Sequence, residues 1–367
     1  MTKITVILPY ANPHVLGWVR ELKGLDIELK IYCIRSVKKF RKGYYSDLDN
    51  CEDINYLFKN NCFYDNLAKD LLLTDVYITL GIFEKVFLKS ISKIKNKTEL
   101  FVLSEPFNPI SSKKHSLIRK IICFYLTLRL KKINFLCIGG EDVKSYYVSL
   151  GFSESKFYNF GYFPKAIESK EVTITEKIRF IFVGQLIERK GINVLINALN
   201  YLDKNYNSNL WSFKIIGDGN LKNNLQKEIK KINNSSIIYL GLIDKPSKIE
   251  ELYTHSDILF IPSIFDGWGA VVNEAMSKNL SIISSSKVYS AKSLVKSGYN
   301  GFLFDHNNLN DMNRIISSLF KDINKLLYLK ENSKLIYMEW NPENAAKSFL
   351  NLVKNKKNIN TSLLKKI

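Results

Sequence analysis

The chain has 367 residues, 46% of them hydrophobic, and its 54 Lys and Arg against 35 Asp and Glu leave a net charge of +19. That length exceeds one ordinary core and suits two domains of roughly 150 to 180 residues. The apolar content excludes a disordered chain, and the charge asks for an anionic partner: nucleic acid, an anionic membrane face or a charged ligand. Cys33, Cys51, Cys62, Cys123 and Cys137 are odd in number, scattered and without a CxxC pair. This excludes a disulfide framework and a zinc site and points to a reduced, cytoplasmic compartment. No run reaches the roughly 18 apolar residues of a membrane span, and the opening "MTKITVILPYANP" is too short in apolar residues for a signal peptide.

In chain order, "KITVILPY", "LDIELKIYCI", "DVYITLG", "ELFVLSEP" and "NFLCIGG" are the first strand candidates. The segments between them are long enough for crossover helices, which predicts a parallel sheet. His14 follows the first strand and Glu105 the fourth, so each has a place at the sheet's carboxyl edge. For His14 an ordinary loop position fits the pattern as well. The "DLD" at 47–49 matches a metal-binding triplet, but three-residue matches arise by chance and this one sits in a polar loop. His14, His115, His255 and His306 show no ligand spacing.

Residues 113–132, "KKHSLIRKIICFYLTLRLKK", carry Lys113, Lys114, Arg119, Lys120, Arg129, Lys131 and Lys132 and no acid, interleaved with apolar residues. The pattern reads as a basic helix with a broad apolar stripe. Two readings stay open: a core-facing helix with solvated lysines, or an interfacial helix on an anionic bilayer. "RSVKKFRKGYY" at 35–45 extends the same basic face.

From residue 178 the punctuation becomes regular. "IRFIFVG", "FKIIGDG", "IIYLGLI", "DILFIPSIF" and "LSIISSS" alternate with helical patterns such as "KGINVLINALNYL", where Ile192, Leu195, Leu199 and Leu202 recur at helical spacing. Strands that are apolar throughout, and not alternately, belong to a doubly wound sheet covered on both faces. The join falls in "FYNFGYFPKAIESKEVTITEK", with a boundary near 168. After Pro342 a last helix begins and fades into a Lys- and Asn-rich tail.

Ligands of open parallel sheets sit beyond the carboxyl ends of the strands, where helix N-termini present free amides. "DGWGA" falls there: Gly267 and Gly269, around Trp268, let backbone approach a phosphate, with a helix starting near Ala270. Asp266 and Glu274 flank that turn and suit sugar hydroxyls on either side of a diphosphate, although a turn acid and a surface helix acid would read the same. In "VGQLIERKGI", Arg189 and Lys190 follow the strand ending at Gly184 and Gln185 and can reach the crevice floor, with Arg189 able to fork onto two oxygens. "IIGDG" supplies a third turn, Gly217, Asp218 and Gly219.

Taken together, "FIFVGQLIERKGINVLINAL", "FKIIGDGNL", "IIYLGLI", "ELYTHSDILFIPSIFDGWGAVVNEAM" and "SGYNGFLFD" resemble the C-terminal domain of retaining family-four glycosyltransferases of GT-B architecture, over roughly residues 178–305. The resemblance implies two doubly wound, Rossmann-like domains facing across a cleft: an acceptor-binding domain over 1–168, a nucleotide-sugar-binding domain over 169–345, and a helix with a basic tail over 346–367. It implies that Asp266 contacts the transferred sugar and Glu274 the donor ribose, that Arg189 and Lys190 bind the diphosphate, and that neither metal nor other cofactor is required. Three departures stand out. Asp266 replaces the usual Glu, Gln185 stands where Arg is frequent, and the first domain offers "PYANPHVLG" and "SEPFNP" where many members carry paired glycines and a His.

The expectation is therefore a retaining, metal-independent glycosyltransferase using a UDP- or GDP-linked sugar and a glycan or lipid-linked acceptor in bacterial surface polysaccharide or glycolipid synthesis. Its place is the cytoplasm, with Arg119, Lys120, Arg129 and Lys131 as the candidate membrane contacts. Two competitors come from other classes. A basic nucleic-acid-binding protein fits the charge but shows no recognition motif, and acids beside the glycine turn repel phosphate. A glycoside hydrolase needs one carboxylate raised in pKa across the scissile bond, and a phosphorylase on the same architecture differs in using phosphate.

Overall fold

The computed structural model describes residues 1–37, 46–60, 62–106, 116–130, 133–153, 155–164 and 177–354. The chain divides into two compact units, Met1–Lys165 with Trp340–Ile367, and Ala166–Glu339.

Among the described residues of the first unit, seven strands form one parallel sheet: β1 (Thr2–Leu8), β2 (Ile27–Cys33), β3 (Asn55–Tyr56), β4 (Val76–Leu80), β5 (Glu99–Ser104), β6 (Asn134–Ile138) and β7 (Lys156–Phe160). Their order is β3-β2-β1-β4-β5-β6-β7. β1 lies between β2 and β4, and Ile4, Val6, Ile7 and Leu8 are buried on both faces, which is why it reads as one apolar run. The two-residue β3 is too short to leave a periodic signal.

The second unit holds β8 (Ile178–Val183), β9 (Trp211–Ile216), β10 (Ile237–Gly241), β11 (Ile258–Ile261), β12 (Ser281–Ser285) and β13 (Gly301–Phe304), ordered β10-β9-β8-β11-β12-β13, also parallel. Phe180, Phe213, Phe260 and Phe304 run across its core, with Phe180 stacked on Phe213 at 5.4 Å and Phe260 on Phe304 at 5.9 Å. The fully buried Asp257, just before β11, takes Arg179 at 2.8 Å and Lys330 at 2.6 Å. Burial pushes its carboxyl upward, and the two cations outweigh this and hold it below the ordinary carboxylate value.

The end of the chain departs from the sequence reading. The helix Pro342–Lys354 returns to the first unit, where the reading placed residues through 345 in the second domain. Phe349 lies 5.2 Å from Trp18 and 4.9 Å from Phe101, and the Trp340 indole donates to the Tyr162 carbonyl at 3.2 Å. The helix has an apolar face, Ala345, Ala346 and Phe349, that must be covered, and Trp18 of the helix Pro13–Glu21 covers it. The predicted tail after Lys354 lies outside the described residues.

Candidate functional site

In the second unit the chain builds β8, β9 and β10 outward on one side, then returns to place β11 against β8. Loops leaving those two adjacent strands diverge, and the gap between their carboxyl ends is where an open sheet holds a ligand. After β8 the chain enters a short 3-10 turn, Glu188–Lys190; after β11 it runs through Pro262 to Gly269 and into the helix Val271–Met276. The two excursions are tied together. Ile264 N–H donates to the Arg189 carbonyl at 2.9 Å, and Arg189 Nη1 donates to the Phe265 carbonyl at 2.9 Å and to Asp266 Oδ1 at 3.4 Å. Lys190 Nζ pairs with the other oxygen, Oδ2. Asp266 is buried, so one carboxylate holds two cations at the switch point and leaves one positive charge in excess.

Of the two glycines in the turn, Gly269 takes the left-handed conformation (φ +86°), and a Cβ there would stand 2.7 Å from Val288 Cγ1. Ser290 closes the other side, its N–H donating to the Trp268 carbonyl and its hydroxyl to the Gly269 carbonyl, both at 2.9 Å. The Trp268 indole is turned into the core and donates to the buried Asn273 at 2.8 Å, so its side chain braces the turn and is not presented outward. Glu274, in the first turn of the following helix, has a different neighbourhood: the buried Tyr253 hydroxyl donates to Oε2 at 3.3 Å. Burial pushes the Glu274 carboxyl up to about 7; the Tyr253 hydrogen bond opposes this and the charge of Glu250 adds to it.

On the β9 side, Gly184 N–H donates to the Ile216 carbonyl at 3.0 Å, and Leu186 both donates to the Asp218 carbonyl and accepts from Leu221 N–H at 2.9 Å. A Cβ on Gly217 (φ +146°) would sit 1.8 Å from the Gly184 carbonyl oxygen, so only glycine fits where these strand ends cross. Asp218 accepts from Gly219 N–H at 2.9 Å and stays half exposed beside Lys222 at 3.7 Å. Gln185 is exposed.

His14 and Glu105 belong to the first unit. The His14 ring lies 5.6 Å from that of Tyr162, and the Tyr162 hydroxyl donates to Glu105 Oε1. Glu105 also lines a cavity of about 370 Å³ with Tyr10, Phe83, Glu84, Ser104 and Tyr147, at the carboxyl ends of β4 and β5. The helix Ser116–Arg129 realises the basic segment in part. Lys120 is exposed, but Arg119 is turned inward, 5.6 Å over the Phe83 ring and hydrogen-bonded to Tyr146. Its place on the inward face of the helix withdraws it from the predicted membrane contacts. Lys131, the side chain of Arg129, and Lys113, Lys114 and Lys132 lie outside the described residues, as does most of 35–45. In the "DLD" triplet, Asp49 is used internally, accepting from Ser36 Oγ at 2.8 Å and Val37 N–H at 3.1 Å. Among the described residues no group of His, Cys, Asp and Glu is placed to hold a metal ion.

Tyr253, Asn273, Ser290 and Tyr162 were not anticipated. Each acts on a residue of the site through a hydrogen bond, and residue identity alone carries no signal for such a role.

Residues 165–336 match the family model described as Glycosyl transferases group 1. An uncharacterized glycosyltransferase of Methanocaldococcus jannaschii is 32% identical over 154 residues, 42% of this chain and 41% of that protein. The Campylobacter jejuni protein named GalNAc-alpha-(1->4)-GalNAc-alpha-(1->3)-diNAcBac-PP-undecaprenol alpha-1,4-N-acetyl-D-galactosaminyltransferase is 26% identical over 178 residues, 48% of each chain. The chain thus spans about half the length of the curated relatives it matches. Among solved structures, Anabaena HepE in complex with UDP superposes with a TM-score of 0.69 at 12% identity, covering 96% of this chain and 100% of that one. The fold, two parallel-sheet α/β domains, is that of the GT-B glycosyltransferases.

Proposed function

We propose, from the match of residues 165–336 to the glycosyl transferases group 1 model, that the protein is a retaining, metal-independent glycosyltransferase. In this reading it uses a UDP- or GDP-linked sugar and serves a glycan or lipid-linked acceptor in bacterial surface polysaccharide or glycolipid synthesis, at the cytoplasmic face of a membrane. One observation carries the reading: Arg189, Lys190 and Asp266, brought from positions 76 and 77 residues apart, converge where the strand order of the second sheet reverses.

The donor diphosphate enters beside Arg189 and Lys190, which exchange part of their pairing with Asp266 for phosphate oxygens. As the bond from the anomeric carbon to the phosphate oxygen breaks, positive charge grows on the sugar and negative charge on the leaving diphosphate. With that exchange made on binding, the two cations stand beside the departing oxygens and stabilise the charge as it develops. They also do what a divalent ion would otherwise do. Asp266 then meets the sugar, and Glu274 accepts from the ribose hydroxyls. The acceptor hydroxyl attacks the face the leaving group vacates, its oxygen bonding to the anomeric carbon while its proton passes to the departing phosphate oxygen. This retains configuration and needs no protein base.

Calorimetry against UDP, GDP, ADP and their sugars, with chelator and then with magnesium, tests the reading. Binding of one nucleotide without metal that is lost in Glu274→Ala is expected, and NMR of the product should show the donor's anomeric configuration. Absence of binding by every nucleotide, or inversion at the anomeric carbon, overturns it.

A further inference from the structure

The helix Ser116–Arg129 does not bury its whole apolar content. Cys123 and Leu126 are fully buried, with Ile122 and Leu130 packed against the same core. Ile121, Phe124, Tyr125 and Leu128 stand on the opposite side, exposed at 61, 66, 48 and 71%. Their spacing of three, four and seven residues makes them one continuous row along the helix. The helix therefore has two apolar faces, one packed into the core and one largely open to water. A row of large apolar side chains this exposed marks an interaction surface.

We propose that this row is the membrane-inserting face of the protein and that its partner is an anionic bilayer surface. Charge decides between occupants. Besides the inward Arg119, the sequence from 113 to 132 has Lys113, Lys114, Lys120, Arg129, Lys131 and Lys132 and no acidic residue, within a chain of net charge +19. A second copy seated on the row across a two-fold axis would bring two such segments together and repel. An anionic leaflet offers hydrocarbon to the row and opposite charge to its flanks, the combination that holds an interfacial helix in place. Tyr125 suits the headgroup level, where amphipathic rings settle.

The placement also links surface to chemistry. Arg119, on the inward side of the same helix, lies over Phe83, and Phe83 lines the cavity that holds Tyr10, Glu84, Ser104 and Glu105. Docking the row on a bilayer thus fixes that cavity beside the membrane, where an acceptor on a lipid carrier is presented. The inference rests on the membrane part of the proposed function and not on its chemistry, so vesicle binding can fail while nucleotide binding stands.

The test is flotation of the full chain with phosphatidylcholine vesicles, with and without phosphatidylglycerol, at low and high salt. The wild type is expected to float with anionic vesicles, weakly with neutral ones, and less at high salt. Phe124→Ser with Leu128→Ser should weaken binding roughly thirtyfold or more while thermal unfolding and nucleotide binding stay unchanged, because both side chains are already in water in the free protein. Tyr125→Trp supplies a fluorophore that should blue-shift and be quenched by brominated lipid. No flotation of the wild type, equal flotation of the double variant, or an unquenched Trp overturns the proposal. So does a concentration-dependent dimer that the double variant dissociates, which would give the row to a second copy.

Discussion

The two sheets reverse their strand order at equivalent places, between β1 and β4 in the first unit and between β8 and β11 in the second, yet they furnish those places differently. At the second the fit is closed around main chain: Gly191 lies against the Pro262 carbonyl, Gly217 on the neighbouring β9 side against the Gly184 carbonyl, and Gly269 against the Val288 side chain, with ion pairs between Asp266 and two cations. At the first, side chains line a cavity, and the glycine there, Gly81 (φ +77°), has no atom within 4 Å of where a Cβ would stand. A site closed by main-chain contact accepts one ligand geometry; a site lined by side chains can be re-cut one residue at a time.

The sharpest way to break this comparison is a matched pair of glycine substitutions followed by calorimetric unfolding. Gly217→Ala should cost about 3 kcal/mol or more, because the Cβ meets backbone that cannot yield, whereas Gly81→Ala should cost only the roughly 1–2 kcal/mol of a left-handed alanine. Equal losses would mean that the two switch points are built alike.

Next in size is Lys190→Ala, expected to lower turnover about a hundredfold with donor binding less affected, since its charge matters most as the diphosphate departs. Steady-state kinetics with radiolabelled donor would show it, and near-normal turnover would remove Lys190 from the machinery.

Glu274 gives a pH signature. Its carboxyl is raised from 4.5 to about 7 by burial, so the fold favours the protonated form. The cost of ionising it is absent below 4.5, grows through that window and is complete above about 7, so the free protein should lose stability as pH rises across it. Donor affinity should move the other way, strengthening about tenfold from one pH unit below the midpoint to above it, because the carboxylate is the better acceptor for ribose hydroxyls. Titrations in parallel with Glu274→Gln, which should lack both slopes, separate this group from the rest.

The smallest effect belongs to the first unit. Glu105→Gln should raise the KM for acceptor several-fold while leaving nucleotide affinity unchanged, as the Tyr162 contact is weakened but not lost. A change in nucleotide affinity instead would erase the division of labour drawn above.

Much of this could be read before any tertiary contact was known. Runs such as "IRFIFV" and "DILFI" are apolar at every position because both faces of a parallel sheet are covered, and glycines after strands mark backbone that must turn or approach closely. The class of the fold, the second sheet and the turn at 266–269 follow from such local patterns. Tertiary structure alone decided what depends on partners distant in sequence. The pairing of Asp266 with Arg189 and Lys190, and Tyr253 on Glu274, arise from strand order and not from spacing. The return of Pro342–Lys354 to the first unit required knowing which apolar surface was still uncovered. In the helix Ser116–Arg129, periodicity announces an apolar helix but not which stripe the core takes. With Cys123 and Leu126 packed inward, geometry left Ile121, Phe124, Tyr125 and Leu128 facing out.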